Sequence, residues 1–262
     1  MKKIIFLGLT VAAITIGCNS ETKTSSQAGV YKIDKATITD GKTETVNLAS
    51  DGNTQYKIYT PEAYFYIAIG KDSTVAYGLG SYTKVGNTIT ESNIYNSGSL
   101  DTAWDAKLDI TTSEKGYTQV IPEMKVNGVS YKLTEDYTTV PATGTSALDG
   151  VWKQTKTLVV TGTDTVDKTY NEYKVYSAGH FMWATSYLSD TAANKTTKLV
   201  GHGTFTLNND ALTEQLDLSN MKGITGKYDI KVKFNGADEY TQETADTTNK
   251  SVGFKTYKRI KK

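Results

Sequence analysis

The sequence predicts an all-β protein of two tandem up-and-down antiparallel β-barrels, about eight strands each, and three observations carry that prediction. The first is an internal duplication. Gly29-Val30-Tyr31-Lys32 returns as Gly150-Val151-Trp152-Lys153, and Tyr56-Lys57-Ile58-Tyr59-Thr60 as Tyr173-Lys174-Val175-Tyr176-Ser177. Gly78-Leu79-Gly80-Ser81-Tyr82-Thr83 returns as Gly201-His202-Gly203-Thr204-Phe205-Thr206, Thr90-Glu91 as Thr213-Glu214, and Tyr117-Thr118-Gln119 as Tyr240-Thr241-Gln242. Matched positions stay roughly 120 residues apart, which marks one whole duplicated unit and not a short solenoid period. The second observation is composition: 18 tyrosines against 3 prolines, with no long apolar run past the N-terminus, favour strands over helices. The third is punctuation, since short alternating runs are separated by turn residues such as Asp40-Gly41, Gly86-Asn87 and Asn127-Gly128 in one copy and Asn208-Asn209-Asp210 and Asn235-Gly236 in the other. Eight short antiparallel strands in simple succession leave two open edges unless they close, so a barrel is favoured and a pair of β-sandwiches is the alternative.

Residues 1–18 read as a targeting segment. Lys2-Lys3 supplies the positive start, residues 4–16 the apolar stretch, and Gly17 a small residue directly ahead of Cys18. Cys18 is the only cysteine and has no partner thiol within the chain, and at this position it resembles the lipidated cysteine of a bacterial lipoprotein, although Thr15 stands where such signals prefer leucine. Residues 19–28 form a polar tether, residues 29–140 the first repeat, residues 141–149 a linker containing Pro141 and Gly144, and residues 150–262 the second repeat. In the second repeat the strand pattern covers residues 150–161, 170–177, 179–187, 198–207, 211–218, 227–234, 239–243 and 251–260. The formal charge is +1; without Lys2 and Lys3 it becomes about −1, 27 basic against 28 acidic residues, which gives no reason to expect a nucleic-acid partner.

A family resemblance enters on specific residues. Gly150-Val151-Trp152 opening the second repeat, with Arg259 in Tyr257-Lys258-Arg259-Ile260 near its end, resembles the lipocalin pattern, in which a glycine-x-tryptophan and an arginine meet at the closed end of the barrel. Gly179-His180-Phe181-Met182-Trp183, then Gly201 to Leu207 and Thr213-Glu214, resembles the lipocalin-like domains of unknown function found in bacterial lipoproteins. The first repeat departs from the pattern, with Tyr31 for the tryptophan, Ala63 for His180, Leu79 for His202 and Thr139 opposite Arg259. The resemblance implies a barrel with a possible ligand cavity and no assigned activity.

Arg259 is the only arginine in the chain, and a guanidinium stacks on an indole and reaches backbone carbonyls as an ammonium cannot, so Trp152 and Arg259 are expected to close the second barrel structurally. His180 alternates with Met182 and Ala184, against Phe181, Trp183 and Thr185 on the other face. In the first repeat the His180 face reads Ala63, Phe65, Ile67, wholly apolar, and the opposite face carries hydroxyls in Tyr64 and Tyr66, so His180 is expected to point into its barrel. The alternatives there are a hydrogen-bonded core histidine or a ligand contact. Glu214 recurs as Glu91 in a copy without histidine, which points to a partner for a lysine; beside His180 it would give the chain's one acid–base pair. His202 lies between glycines at an expected bulge or close backbone approach, and Trp104 is placed in a loop, covering a barrel end or stacking on a sugar.

No nucleophile elbow, His-Glu-x-x-His, Cys-x-x-Cys, phosphate loop or calcium-loop spacing is found, so no catalytic residue, metal site or cofactor is expected. The leading expectation is a lipid-anchored protein of the cell envelope, at the outer membrane, whose second barrel takes a small hydrophobic or amphipathic molecule through His180, Met182 and Glu214. The alternatives are a structural or adhesive module with solidly packed barrels meeting glycan or protein, and an enzyme using His180 and Glu214.

Overall fold

In the computed structural model, residues 27–97, 104–126, 128–190, 195–246 and 248–261 are described. The expected lipidation site Cys18 and the segment before it lie outside them. The first repeat forms β1 (Gly29–Thr39), β2 (Glu44–Leu48), β3 (Thr54–Tyr59), β4 (Ala63–Ile69), β5 (Val75–Val85), β6 (Thr88–Asn96), β7 (Trp104–Thr112), β8 (Gly116–Val126) and β9 (Val129–Val140). The second forms β10 (Gly150–Thr161), β11 (Asp164–Asp167), β12 (Asn171–Ser177), β13 (His180–Asp190), β14 (Lys195–Asn208), β15 (Ala211–Ser219), β16 (Gly226–Phe234), β17 (Glu239–Asp246) and β18 (Ser251–Arg259). Every pairing is antiparallel, β1 pairs with β3 and β10 with β12 past the intervening short strand, and β1 closes on β9 as β10 closes on β18, so each repeat is a closed eight-stranded barrel.

Each repeat has one further strand, β2 and β11, that pairs only with the opening strand. β1 gives its first residues to β3 and its last, from Lys35 to Thr39, to β2; β10 divides in the same way between β12 and β11. The change of partner follows a bulge in each opening strand, near Asp34 and Thr155, while its other edge stays paired with β9 or β18. Corresponding hairpins use left-handed residues, Gly86 at φ 58° between β5 and β6 and Asn209 at φ 57° between β14 and β15, as the turn signals require.

Three apolar clusters hold the molecule together. One lies inside the first barrel around Tyr59, Tyr64, Tyr82 and Tyr117, and a second inside the second barrel around Trp152, Phe205, Leu216 and Tyr240. The third belongs to neither interior. It joins Ile58, Phe65, Ile67, Tyr77 and Leu79 of the first barrel to Val175, Met182, Ala184 and Val200 of the second, and it is formed by the outer faces of β3 to β5 packed against those of β12 to β14. Tyr95 reinforces it, donating to Asn171 O at 2.8 Å and lying 4.3 Å from the Tyr173 ring. The segment between the barrels is also fixed: Thr143 N donates to Ala178 O, Leu148 is fully buried, and Leu148 O accepts from Trp152 Nε1 at 2.7 Å.

Candidate functional site

The interior of the second barrel is built by alternation on β12 and β13. Glu172, Lys174 and Tyr176 face inward while Tyr173 and Val175 face the other barrel; on β13, Phe181, Trp183 and Thr185 face inward. Gly201 makes room for this wall, because a Cβ there would come within 2.4 Å of Trp183 Nε1. Gly203 stands at a bulge where a Cβ would meet Gln215 O at 1.9 Å, and Gly80 does the same against Ser92 O in the first barrel. The Gly-x-Gly motif is thus a close-approach device in both repeats.

A polar network forms the floor. Lys174 Nζ lies 2.8 Å from Glu214 Oε1, both side chains nearly withdrawn from solvent, and Glu214 also accepts from Tyr176 OH. Gln242 Nε2 donates to Tyr176 OH at 3.0 Å. A second pair joins Lys255 Nζ to Glu172 Oε2 at 3.1 Å, with Tyr257 OH donating to Glu172. Burial alone would raise the Glu172 carboxyl, but the Lys255 and Lys174 charges and the Tyr257 hydroxyl outweigh it and hold Glu172 below its usual range, so it is ionised at neutral pH. Lys174 also lies 5.5 Å from the Tyr176 and Phe181 ring centres, which suits a cation removed from water.

Above this floor is a cavity of about 490 Å³ walled by Phe181, Trp183, Leu199, Leu216, Tyr228 and Ile230. The first barrel repeats the network with Lys57 Nζ 2.6 Å from Glu91, Tyr59 OH on Glu91, and Gln119 Oε1 accepting from Lys57. It differs at two positions: Gln55 replaces Glu172, and Glu135 replaces Lys255, with Gln55, Gln119 and Tyr137 donating to Glu135. Burial raises the Glu135 carboxyl. At its mouth the wall residues shrink to Ala68, Gly70 and Ala76 where the second barrel has Thr185, Tyr187 and Leu199, leaving a space of about 400 Å³.

Of the expected binding residues, Glu214 lies in the cavity and His180 and Met182 do not. The inward orientation expected for His180 is corrected: its Nε2 bonds Pro141 O at 3.0 Å, its ring stacks on His202 at 5.7 Å, and Met182 is part of the core between the barrels. The face of β4 that is wholly apolar, and the His180, Met182 and Ala184 face of β13 that matches it, are buried against the other barrel, while the barrel interiors carry the Lys, Glu and Gln side chains of the floor. His180 therefore makes no acid–base pair with Glu214, whose oxygens are taken by Lys174, Tyr176 and Gln242. His202 is buried between Tyr56 of the first barrel, stacked at 3.7 Å, and His180, with no partner for either ring nitrogen. Burial, then His180 and Lys32, push it down to about 3. Trp104 begins β7, paired with Asn93, and is not in a loop; its side chain lies outside the described residues.

Arg259 lies over the Trp152 indole, 4.1 Å from the ring centre, and donates to Ala147 O, Asp149 O and Ala237 O, which caps that end of the second barrel. Sequence reasoning did not single out Glu172, Lys174, Trp183, Gln242 or Lys255. Recurrence was the available signal for two of them, since Lys57 with Lys174 and Gln119 with Gln242 return in both copies just as Glu91 and Glu214 do.

No family model matches the chain, and none of the curated proteins matches it. Among solved structures it is similar to a protein of Bacteroides fragilis NCTC 9343 described as a "putative outer membrane protein", at 14% identity and a TM-score of 0.25 over 88% of this chain and 97% of that one, a likeness too slight to carry an assignment.

Proposed function

We propose that the second barrel binds one small amphipathic molecule in its lumen and that the protein is held at the cell envelope, at the outer membrane, by lipid on Cys18. The cavity carries the binding reading. Its volume of about 490 Å³ is far more than the roughly 30 Å³ share of one water and falls within the usual range of small-molecule sites. Solid packing of every inward position, which a purely structural or adhesive barrel would favour, is not found there. An apolar wall above a hydrogen-bonded charged floor suits a molecule with one polar end. We assign no catalytic step, because the acid–base pair considered from the sequence is divided between the lumen and the seam between the barrels.

Native mass spectrometry of the protein purified from its own host tests the binding reading. A non-covalent small-molecule adduct on the wild type that is lost from Leu199→Trp, which fills the cavity wall, is expected; an adduct-free wild type, or one equally retained by the variant, refutes it. The anchor rests on the order of residues 1–18 and is tested separately, by Cys18→Ser moving the protein from the membrane fraction to the soluble one.

A further inference from the structure

The two barrels share a floor of Lys, Tyr, Glu and Gln and differ in one neighbouring pair of side chains. Where the first has Gln55 and Glu135, the second has Glu172 and Lys255. The exchange turns a buried carboxylate held by neutral donors into a buried carboxylate paired with an ammonium, and it brings that ammonium to the cavity. Lys255 lines the cavity and its side chain is 39% exposed, against 6% for Glu172.

The two carboxylates at this floor are largely engaged, and the group that reaches the cavity with a donor to give is Lys255. Glu214 already accepts from both contacts of Lys174, from Tyr176 and from Gln242, and Glu172 accepts from both contacts of Lys255 and from Tyr257. An ionised carboxylate offers about four acceptor positions, so little acceptor capacity remains. An ammonium has three N–H groups, and Lys255 directs both of its contacts to Glu172. A cationic head group would find both carboxylates already engaged by lysines and would meet an ammonium of its own sign; an anionic one would meet an ammonium with a donor to give.

We infer that the ligand is a single-headed anionic amphiphile, a carboxylate on an apolar body, and that Lys255 is the residue that selects its head group. This rests on the lumen reading above and refines it. The apolar body lies against Trp183, Leu199 and Leu216, and the head descends to Lys255, which keeps its bond to Glu172 and so needs no rearrangement to receive it.

The test uses dodecanoate, dodecanol and dodecylamine below their aggregation thresholds, titrated calorimetrically into the folded protein. Dodecanoate should bind about tenfold or more tighter than dodecanol, the size of one charge-assisted hydrogen bond, and dodecylamine most weakly. The double variant Glu172→Gln with Lys255→Glu installs the pair the first barrel carries, and it should lose the preference for dodecanoate and favour dodecylamine. Lys255→Arg keeps the charge and should keep the dodecanoate preference, which preserves the test if the double variant does not fold. Equal binding of dodecanoate and dodecanol by the wild type, or an undiminished dodecanoate preference in the folded double variant, overturns the head-group inference and leaves the lumen reading standing. Failure of all three to bind overturns the lumen reading itself.

Discussion

Acidification should weaken the fold through one side chain, His202. The ring is 4% exposed, lies face to face with Tyr56 across the seam between the barrels, and has no hydrogen-bond partner for either nitrogen. Burial removes the water that would solvate an imidazolium there, and the neighbouring charges that act on it, His180 and Lys32, both oppose a proton. In the unfolded chain the imidazole takes its proton near pH 6.5, whereas in the folded chain it does so only at about 3. Between those values the unfolded state binds the extra proton, so stability present above pH 6.5 is lost as pH falls toward 3. Moving from pH 7.5 to pH 5 should therefore cost about 2 kcal/mol, close to the whole free energy of protonating one unfolded histidine at pH 5.

Other groups titrate over the same interval, and one opposes the effect: burial raises Glu135, which makes the folded state gain stability as pH falls. The variant His202→Leu separates the two, because leucine is the residue the first repeat places at the matching position, Leu79, in the same core. Urea denaturation at both pH values should show the wild type losing about 2 kcal/mol more than His202→Leu on acidification. Parallel losses in the two proteins would refute the assignment of a neutral, unsatisfied histidine to the seam.

Arg259→Lys keeps a charge but gives up the planar stack on Trp152 and a forked set of carbonyl contacts, so it should cost about 1–2 kcal/mol in urea, while the exposed Lys195→Ala costs nothing measurable. Limited proteolysis should leave one resistant core spanning both barrels instead of releasing two, since residues 141–149 are hydrogen-bonded to the second barrel and the barrels share an apolar core; a clean cut there with two stable products would contradict this. Lys174→Met strands Glu214 inside the second barrel and should lose about 3–5 kcal/mol, with part of that recovered in the double variant Lys174→Met with Glu214→Gln, as a denaturant double-mutant cycle would measure.

The barrel class, the duplication and the turn positions were legible because each rests on local chemistry: period-two alternation, Asn and Gly at left-handed turns, and the return of whole motifs. The outlying strands β2 and β11 were not, since they are only five and four residues long and bury neither face, which leaves too short a pattern to tell from a turn or loop. The orientation of β13 failed for a different reason. A rule that assigns the more apolar face to the interior assumes that solvent covers the other face, and here a second barrel covers it. Tyr173 and Val175 then look like core while Glu172 and Lys174 look like surface, the reverse of their actual places. The signal that overrides the rule is recurrence of polar residues: Lys57 and Lys174, like Glu91 and Glu214, are retained on one face of matching strands because they satisfy each other.

The seam between the barrels also has a symmetry that explains which residues are free to differ. Phe65 and Met182, Ile67 and Ala184, Tyr77 and Val200, and Leu79 and His202 are matching positions of the two repeats, and all but His202 belong to one buried cluster, with His202 against Tyr56 at its margin. Matching faces meet, as in an isologous dimer joined into one chain. Every seam residue is then constrained twice, by its own barrel wall and by the opposite barrel, and substitutions there must trade volume across the contact, as phenylalanine and isoleucine on one side do with methionine and alanine on the other. The lumens carry no such mutual constraint. Each barrel can alter its floor and wall without disturbing its neighbour, and that is where the copies part: Gln55 and Glu135 against Glu172 and Lys255, and Ala68, Gly70 and Ala76 against Thr185, Tyr187 and Leu199. A shared seam that fixes the frame while leaving two interiors independent lets one barrel change its lumen at little cost to the stability of the whole.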